Sequence, residues 1–302
     1  EFMASVLSNQ GGFYGTDEYI EEARRMGLKI LLPHVNHSRR EFFSQSYGKT
    51  IRRSAIRVGL MQVKNLSRKT IDKILEERNK KPYVSLGDFH SRVKANEHEI
   101  DFLIRCGALD GLGDTRPAML WKYGMLENKI KKNQEEQVLF PMNDANHFNK
   151  IPKLPEYVFR EKLIQELECL GVAVSHHPLL LYGIKYGNRT NGILPAKSLH
   201  RHSGKVGTLV GWLVTYKRTR TDKGELMKLI TLEDSTGLFE AILFPKVYRR
   251  FGHLLQGRGP YIVKGWIKRN GRCHTVTVLR LGKWTEDRLN ITHPSIVGTD
   301  IF

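Results

Sequence analysis

From Lys205 to Tyr216 the chain alternates. Val206, Val210, Trp212 and Val214 stand an even number of residues apart, so one face of an extended segment collects them. Leu226–Leu232, Leu238–Phe244, Tyr261–Ile267 and Cys273–Leu279 resume the pattern, and each reads as a strand. Lys217–Gly224 and Glu233–Gly237 read as turns, and Lys268–Arg272 as a glycine-containing hairpin. Pro245 opens a helix that runs to about Gln256, between the third and fourth strands. Gly207 and Gly211 allow the first strand to bend, as the first strand of a small barrel must.

Upstream the period changes to that of helices. Glu1–Ser8 reads as a helix entered in mid-course, which leads us to expect that a longer protein precedes it. Asn9–Gly12 breaks it, and Thr16 or Asp17 caps a second helix that ends at Gly27. Lys29–Leu32 predicts a short buried strand stopped by Pro33. His34 and His37 lack a third ligand or a carboxylate partner, so the loop is read as solvated, capping a helix that follows. Ile56, Leu60 and Val63 share a helical face, Lys64–Ser67 breaks it, and Ile71, Ile74 and Leu75 resume one as far as Arg78. A second pair follows: a helix over Glu99–Cys106, a break over Gly107–Gly113, and a helix beginning at Thr115–Lys122.

Charge gives these hairpins a partner. The 302 residues carry 49 Lys and Arg against 31 Asp and Glu, a net charge of +18, which favours a polyanion. No apolar run approaches the ~20 residues of a spanning helix, so a membrane is not expected as the partner. Gly111-Leu112-Gly113 has the form of the turn in a helix–hairpin–helix DNA-binding motif. Glycines let the main chain approach a phosphate, and N–H groups opening the next helix bond its oxygens. Leu112 would lock the turn, while Thr115 and Arg116 would add side-chain contacts. In the first hairpin Asn65 tolerates a left-handed backbone, Ser67 can cap, and Lys64, Arg68 and Lys69 bring charge. Such contacts read no sequence.

Three strands, a helix and two strands is the order of an OB-fold, which grips single strands between the loops joining strands one to two and four to five. Both loops are basic: Lys217, Arg218, Arg220 and Lys223 in one, Lys268, Arg269 and Arg272 in the other. Tyr216 and Phe239 are candidates to stack on bases, or else belong to the core. The fold class is therefore α+β multidomain: a mainly helical N-terminal half with tandem helix–hairpin–helix, then a five-stranded OB-fold barrel. Glu233 and Asp234 read as turn residues, and Ser175–Pro178 as a turn after a short strand Val172–Val174. Val158–Leu170 predicts an amphipathic helix stopped by Gly171. Three scattered cysteines give neither a disulfide framework nor zinc spacing and fit a reducing cytoplasm.

IRVGLMQVKNLSRKTIDKILEERNKKPYVSLGDFHSRV followed by LIRCGALDGLG resembles the tandem helix–hairpin–helix region of the bacterial DNA polymerase III alpha subunit. FMASVLSNQGGFY and YIEEARRMGLKILLPHVNHS resemble the end of that family's fingers domain, and ELECLGVAVSHHPL leads into the barrel in the family's order. The resemblance divides the chain into a fingers-like region (1–50), the tandem hairpins (51–122), a linker with a connecting helix (123–203), the OB-fold (204–284) and a tail (285–302). An apolar cluster in the polar linker marks a docking peptide. The resemblance makes Gln137, Val138, Leu139 and Phe140 its clamp-binding motif, although the glutamine stands one position late.

The partners implied are duplex and single-stranded DNA at a primer–template, the sliding clamp, and other polymerase III or mutasome subunits. Metal-binding aspartates and Mg2+ would belong to a palm domain outside these residues. No cofactor is therefore expected in this chain, and by itself it should be inactive. The short end leans toward the error-prone relatives. Two rivals remain: a free-standing single-stranded nucleic-acid-binding protein, and a helix–hairpin–helix repair enzyme needing a catalytic Asp or Lys beside its hairpin.

Overall fold

The computed structural model describes residues 1–9, 15–46, 54–135, 153–184, 186, 192–271 and 273–284, with the side chains of residues 126–135 excepted. The chain divides into two units, Glu1–His176 and His177–Phe302.

In the first unit α1 (Phe2–Asn9) and α2 (Thr16–Arg25) precede a small sheet. Its strands are β1 (Lys29–Leu31), β2 (Phe43–Ser46) and β3 (Ser54–Arg57), in the order β1-β3-β2. β3 runs parallel to β1 and antiparallel to β2. This corrects two expectations. The loop at His34 leads into a strand and caps no helix. The helical face of Ile56, Leu60 and Val63 belongs instead to β3 followed by a 3-10 turn, Leu60–Gln62. Gly59 between them is extended (φ −72°, ψ 154°), which rules out one continuous helix. All three side chains are buried, so a spacing of four and three served a strand end and a turn equally well.

Five helices complete the unit: α3 (Arg68–Lys80), α4 (Leu86–Val93), α5 (Glu97–Arg105), α6 (Arg116–Glu135) and α7 (Phe159–Leu170). α6 runs well into the stretch read as linker from Tyr123. Val172–Val174 forms no strand; the N–H groups of Val174 and Ser175 both donate to buried Glu166, at 2.8 Å each. One continuous core, including Ile56, Leu60, Ile74, Phe89, Leu103 and Leu109, joins sheet and helices.

The second unit is a closed five-stranded barrel of β4 (Val206–Arg220), β5 (Leu226–Asp234), β6 (Gly237–Leu243), β7 (Tyr261–Asn270) and β8 (Cys273–Lys283), in the order β4-β5-β6-β8-β7. β7 pairs back onto β4, and only β6 and β8 run parallel. A short helix, α8 (Pro245–Phe251), stands between the third and fourth strands and passes into a 3-10 turn instead of continuing to Gln256. This is the OB-fold. Inward-facing Leu209, Leu213, Ile230, Leu232, Val263 and Val276 fill it. Asp234 closes the β5–β6 turn, accepting from the N–H groups of Thr236 (2.6 Å) and Gly237 (3.0 Å). The first strand is longer than expected. Lys217, Arg218 and Arg220 lie on β4 itself, where pairing with β5 continues to Arg220–Leu226.

Candidate nucleic-acid interface

The first hairpin joins the Leu60–Gln62 turn to α3. Asn65 takes a left-handed backbone (φ +60°), a region that asparagine tolerates better than most residues. Ser67 caps α3, its hydroxyl accepting from the Thr70 N–H at 3.1 Å. Arg68 and Lys69 are exposed at the start of α3, in a cleft that Lys94 and Glu99 also line. Lys64 is committed elsewhere: its N–H donates to Cys169 O (2.8 Å) and its Nζ to Glu168 O (2.9 Å), satisfying carbonyls at the end of α7. Glu99 is the hidden organiser. One carboxylate oxygen accepts from Ser67 N (2.9 Å) and the other from Asn96 N (3.1 Å), tying the hairpin to the cap of α5. Burial works to raise its pKa, but hydrogen bonds from Ser67, Thr70 and Asn96 hold it below the ordinary value.

The second hairpin is built differently. Gly111 and Gly113 are exposed with φ of +84° and +98°, so bare main chain forms the turn's surface, and Leu112 is buried beneath it. Arg116 does not reach outward as the sequence suggested. It is 1% exposed and makes a bidentate pair with Asp110, Nε to Oδ1 at 2.9 Å and Nη2 to Oδ2 at 2.7 Å. Its Nη1 donates to Arg105 O at 2.9 Å. A Cβ at Gly107 would collide with this guanidinium, so that glycine makes the burial feasible. Thr115 is also engaged, donating to Leu154 O at 3.0 Å and accepting from Ala118 N at 3.3 Å. One hairpin thus presents exposed cations, and the other presents backbone.

Beside the second hairpin, His34 and His37 lie with ring centroids 4.5 Å apart. Burial, then the charges of His37 and Arg57, lowers the His34 pKa to about 4. Its Nδ1 accepts from Asn36 N at 3.0 Å, a loop-closing role. Among the described residues no three His, Cys, Asp or Glu side chains are grouped to hold a metal ion.

On the barrel the two aromatic candidates separate. Phe239 is 2% exposed and faces Leu232 across β5–β6, so it is core and cannot stack on a base. Tyr216 is 53% exposed, with Lys228 Nζ lying 3.9 Å from its ring centroid. Lys228 is buried opposite Arg218; desolvation, then the charge of Arg218, hold its ammonium below the ordinary range. Lys217, Arg218, Arg220 and Lys223 are all exposed, and Arg220 donates to Gly224 O at 2.7 Å across the turn. Lys268 and Arg269 are exposed at the end of β7. Arg272 and the motif Gln137–Phe140 lie outside the described residues.

Sequence reasoning missed Lys228, Lys94 and Trp266. Lys228 alone left a signal, as a lysine in phase with inward-facing Ile230 and Leu232.

Two hairpins sharing one core, and a closed barrel with basic strand ends, define a chain of helix–hairpin–helix and OB-fold units. Residues 27–119 match the helix-hairpin-helix motif family model. Over most of its length the chain is similar to bacterial DNA polymerase III alpha subunits, in agreement with the resemblance read from its motifs. The alpha subunit of Xylella fastidiosa (strain Temecula1) is 29% identical over 300 residues, covering 89% of this chain and 24% of that protein. The error-prone DNA polymerase of Symbiobacterium thermophilum is 27% identical, covering 93% of this chain and 29% of that protein. The alpha subunit of Bacillus subtilis is 28% identical, covering 84% and 22% respectively. The chain therefore spans less than a third of the length of these relatives. Among solved structures, a domain of replication protein A from Methanococcus maripaludis is 20% identical, covers 27% of this chain and 85% of its own, and has a TM-score of 0.24. No described helix is long and apolar enough to cross a membrane.

Proposed function

We propose that this chain is a DNA-gripping portion of a polymerase III alpha-type DNA polymerase, holding duplex by its hairpins and single-stranded template by its barrel. The observation that carries this reading is the presence in one chain of two unlike surfaces. Left-handed Asn65 and exposed Gly111 and Gly113 bring bare main chain to the surface at the two turns, and the N–H groups of the turns themselves suit phosphate oxygens of either strand. The end of β4 carries exposed cations beside an exposed ring, which suits a strand whose bases are unpaired. A grip made of main-chain N–H groups and cations on phosphates reads no sequence, so binding should be non-specific and fall steeply with salt.

The parent reaction would be template-directed nucleotidyl transfer in the cytoplasm. Its Mg2+ would be held by residues of a palm domain elsewhere in the polymerase, and this chain alone should incorporate no nucleotide. The segment containing Leu139 and Phe140 would dock the sliding clamp, and replacing both with alanine should abolish clamp pull-down while sparing DNA binding. A primer–template junction should bind more tightly than blunt duplex or single strand of equal length, measured by fluorescence anisotropy. Equal affinity for all three would overturn the division of labour.

A further inference from the structure

Trp266 is a large aromatic on the outside of the barrel, 45% exposed. Following the register around the barrel, Lys217 pairs with Leu229, Leu229 with Ile242, Ile242 with Thr277, and Thr277 with Trp266. Directly paired residues share a face of the sheet, so these five form one outward-facing belt. Phe239, inward by the same rule, is excluded from it. From β5 to β7 the belt crosses three strand spacings, about 14 Å. It links Lys217 to Trp266, while Tyr216 and Arg218, paired with buried Ile230 and Lys228, stand on the other face of β4.

The surroundings of Trp266 specify its occupant. Lys264 and Lys268 lie two residues to either side, on the same face and both exposed. That puts a cation about 6.7 Å along the strand on each side of the indole. The register partners of these three residues are Val206, Thr208, Thr275, Thr277 and Arg280, with no carboxylate among them. An apolar protein surface would match Val206 and the indole but strand two ammonium groups. A polyanion with accessible ring faces satisfies both features, and a single strand of nucleic acid supplies them alternately: phosphate, base, phosphate. Duplex DNA does not, because its bases are stacked on one another.

The geometry points to a second stacking station for single-stranded nucleic acid on β7, in which a base lies on Trp266 and the neighbouring phosphates meet Lys264 and Lys268. This rests on the single-strand reading of the barrel given above. It extends the bound strand from the β4–β5 end around the outer face, so the site covers more nucleotides than the basic hairpin alone would hold.

The test uses the full chain with an oligothymidylate and a blunt duplex. Trp266→Ala should weaken oligothymidylate binding roughly tenfold or more while leaving duplex affinity unchanged. Trp266→Phe, which keeps a ring and the fold, should recover most of that affinity. Indole emission should be quenched by oligothymidylate in the parent chain, and less so in Trp266→Phe. An alanine variant that binds oligothymidylate like the parent overturns the station and leaves the single-strand reading standing. Equal losses on both ligands overturn it as well. No oligothymidylate binding by the parent chain overturns both.

Discussion

Lys228 Nζ rests 3.9 Å from the centre of the Tyr216 ring, a buried cation beneath an exposed aromatic. The pair lies across β4 and β5 beside the barrel core, Tyr216 paired with buried Ile230 and Lys228 with Arg218. Tyr216→Ala should cost about 1–3 kcal/mol of single-strand binding, the usual worth of a stacked base. Lys228→Met should cost less, since it only frees the ring. The double variant should lose no more than Tyr216→Ala alone, because the lysine acts through the tyrosine. Anisotropy titrations of the three variants check this, and additive losses would mean that Lys228 meets phosphate itself.

Reversing the charge of Arg218, Arg220 and Lys223 should weaken single-strand binding more than duplex binding. Each lost phosphate contact should also flatten the salt dependence of single-strand affinity by about 0.7 in log–log slope. Titrations across a range of salt measure both effects, and equal losses on the two ligands would count against the barrel as the single-strand site.

Arg116 makes the opposite prediction. Because it pairs with Asp110 inside the protein, Arg116→Met should lower stability by about 3–5 kcal/mol, the usual cost of breaking a buried ion pair, less whatever the half-exposed Asp110 regains by hydration. At temperatures where the variant stays folded, its salt slope for duplex should equal that of the parent. A reduced slope would show that the guanidinium reaches phosphate after all. Thermal melting and duplex titration separate the two outcomes.

His34 ties stability to pH. Its folded pKa of about 4 lies below the ordinary 6.5, so between these values the unfolded chain holds a proton that the folded chain does not. Its contribution is fully present above pH 6.5 and is lost as pH falls toward 4. His34→Asn keeps an acceptor for the Asn36 N–H and cannot titrate, so denaturation midpoints should depend less on pH in that window. An unchanged pH profile would refute the assignment.

The barrel was legible because its signal is local. Strand alternation broken by Gly and Pro marks the elements whatever the tertiary contacts. Asn65 and Ser67 were legible for the same reason, since backbone tolerance and capping are properties of single residues. Arg116 was not, because its burial needs Asp110 six residues earlier and the absence of a side chain at Gly107. Phe239 and Tyr216 could not be told apart by pairing, since their partners Leu232 and Ile230 are both core; only the fold leaves Tyr216 53% exposed and Phe239 2%. β3 was read as helix because a four-residue strand is too short for period two to outweigh a coincidental spacing of four and three.

The first hairpin leans on residues far ahead of it in sequence. Lys64 N–H donates to Cys169 O at 2.8 Å, and the Gln62 side chain to Leu170 O at 2.7 Å. During synthesis at roughly 5–20 residues per second, the hundred or so intervening residues take about 5–20 s to emerge. The second hairpin depends on nearer partners, Val35 N–H donating to Ala108 O at 2.9 Å and Asp110 holding Arg116. On the ribosome, then, the hairpin that is translated first is the one completed last, and a nascent chain released before Leu170 would carry it half-anchored.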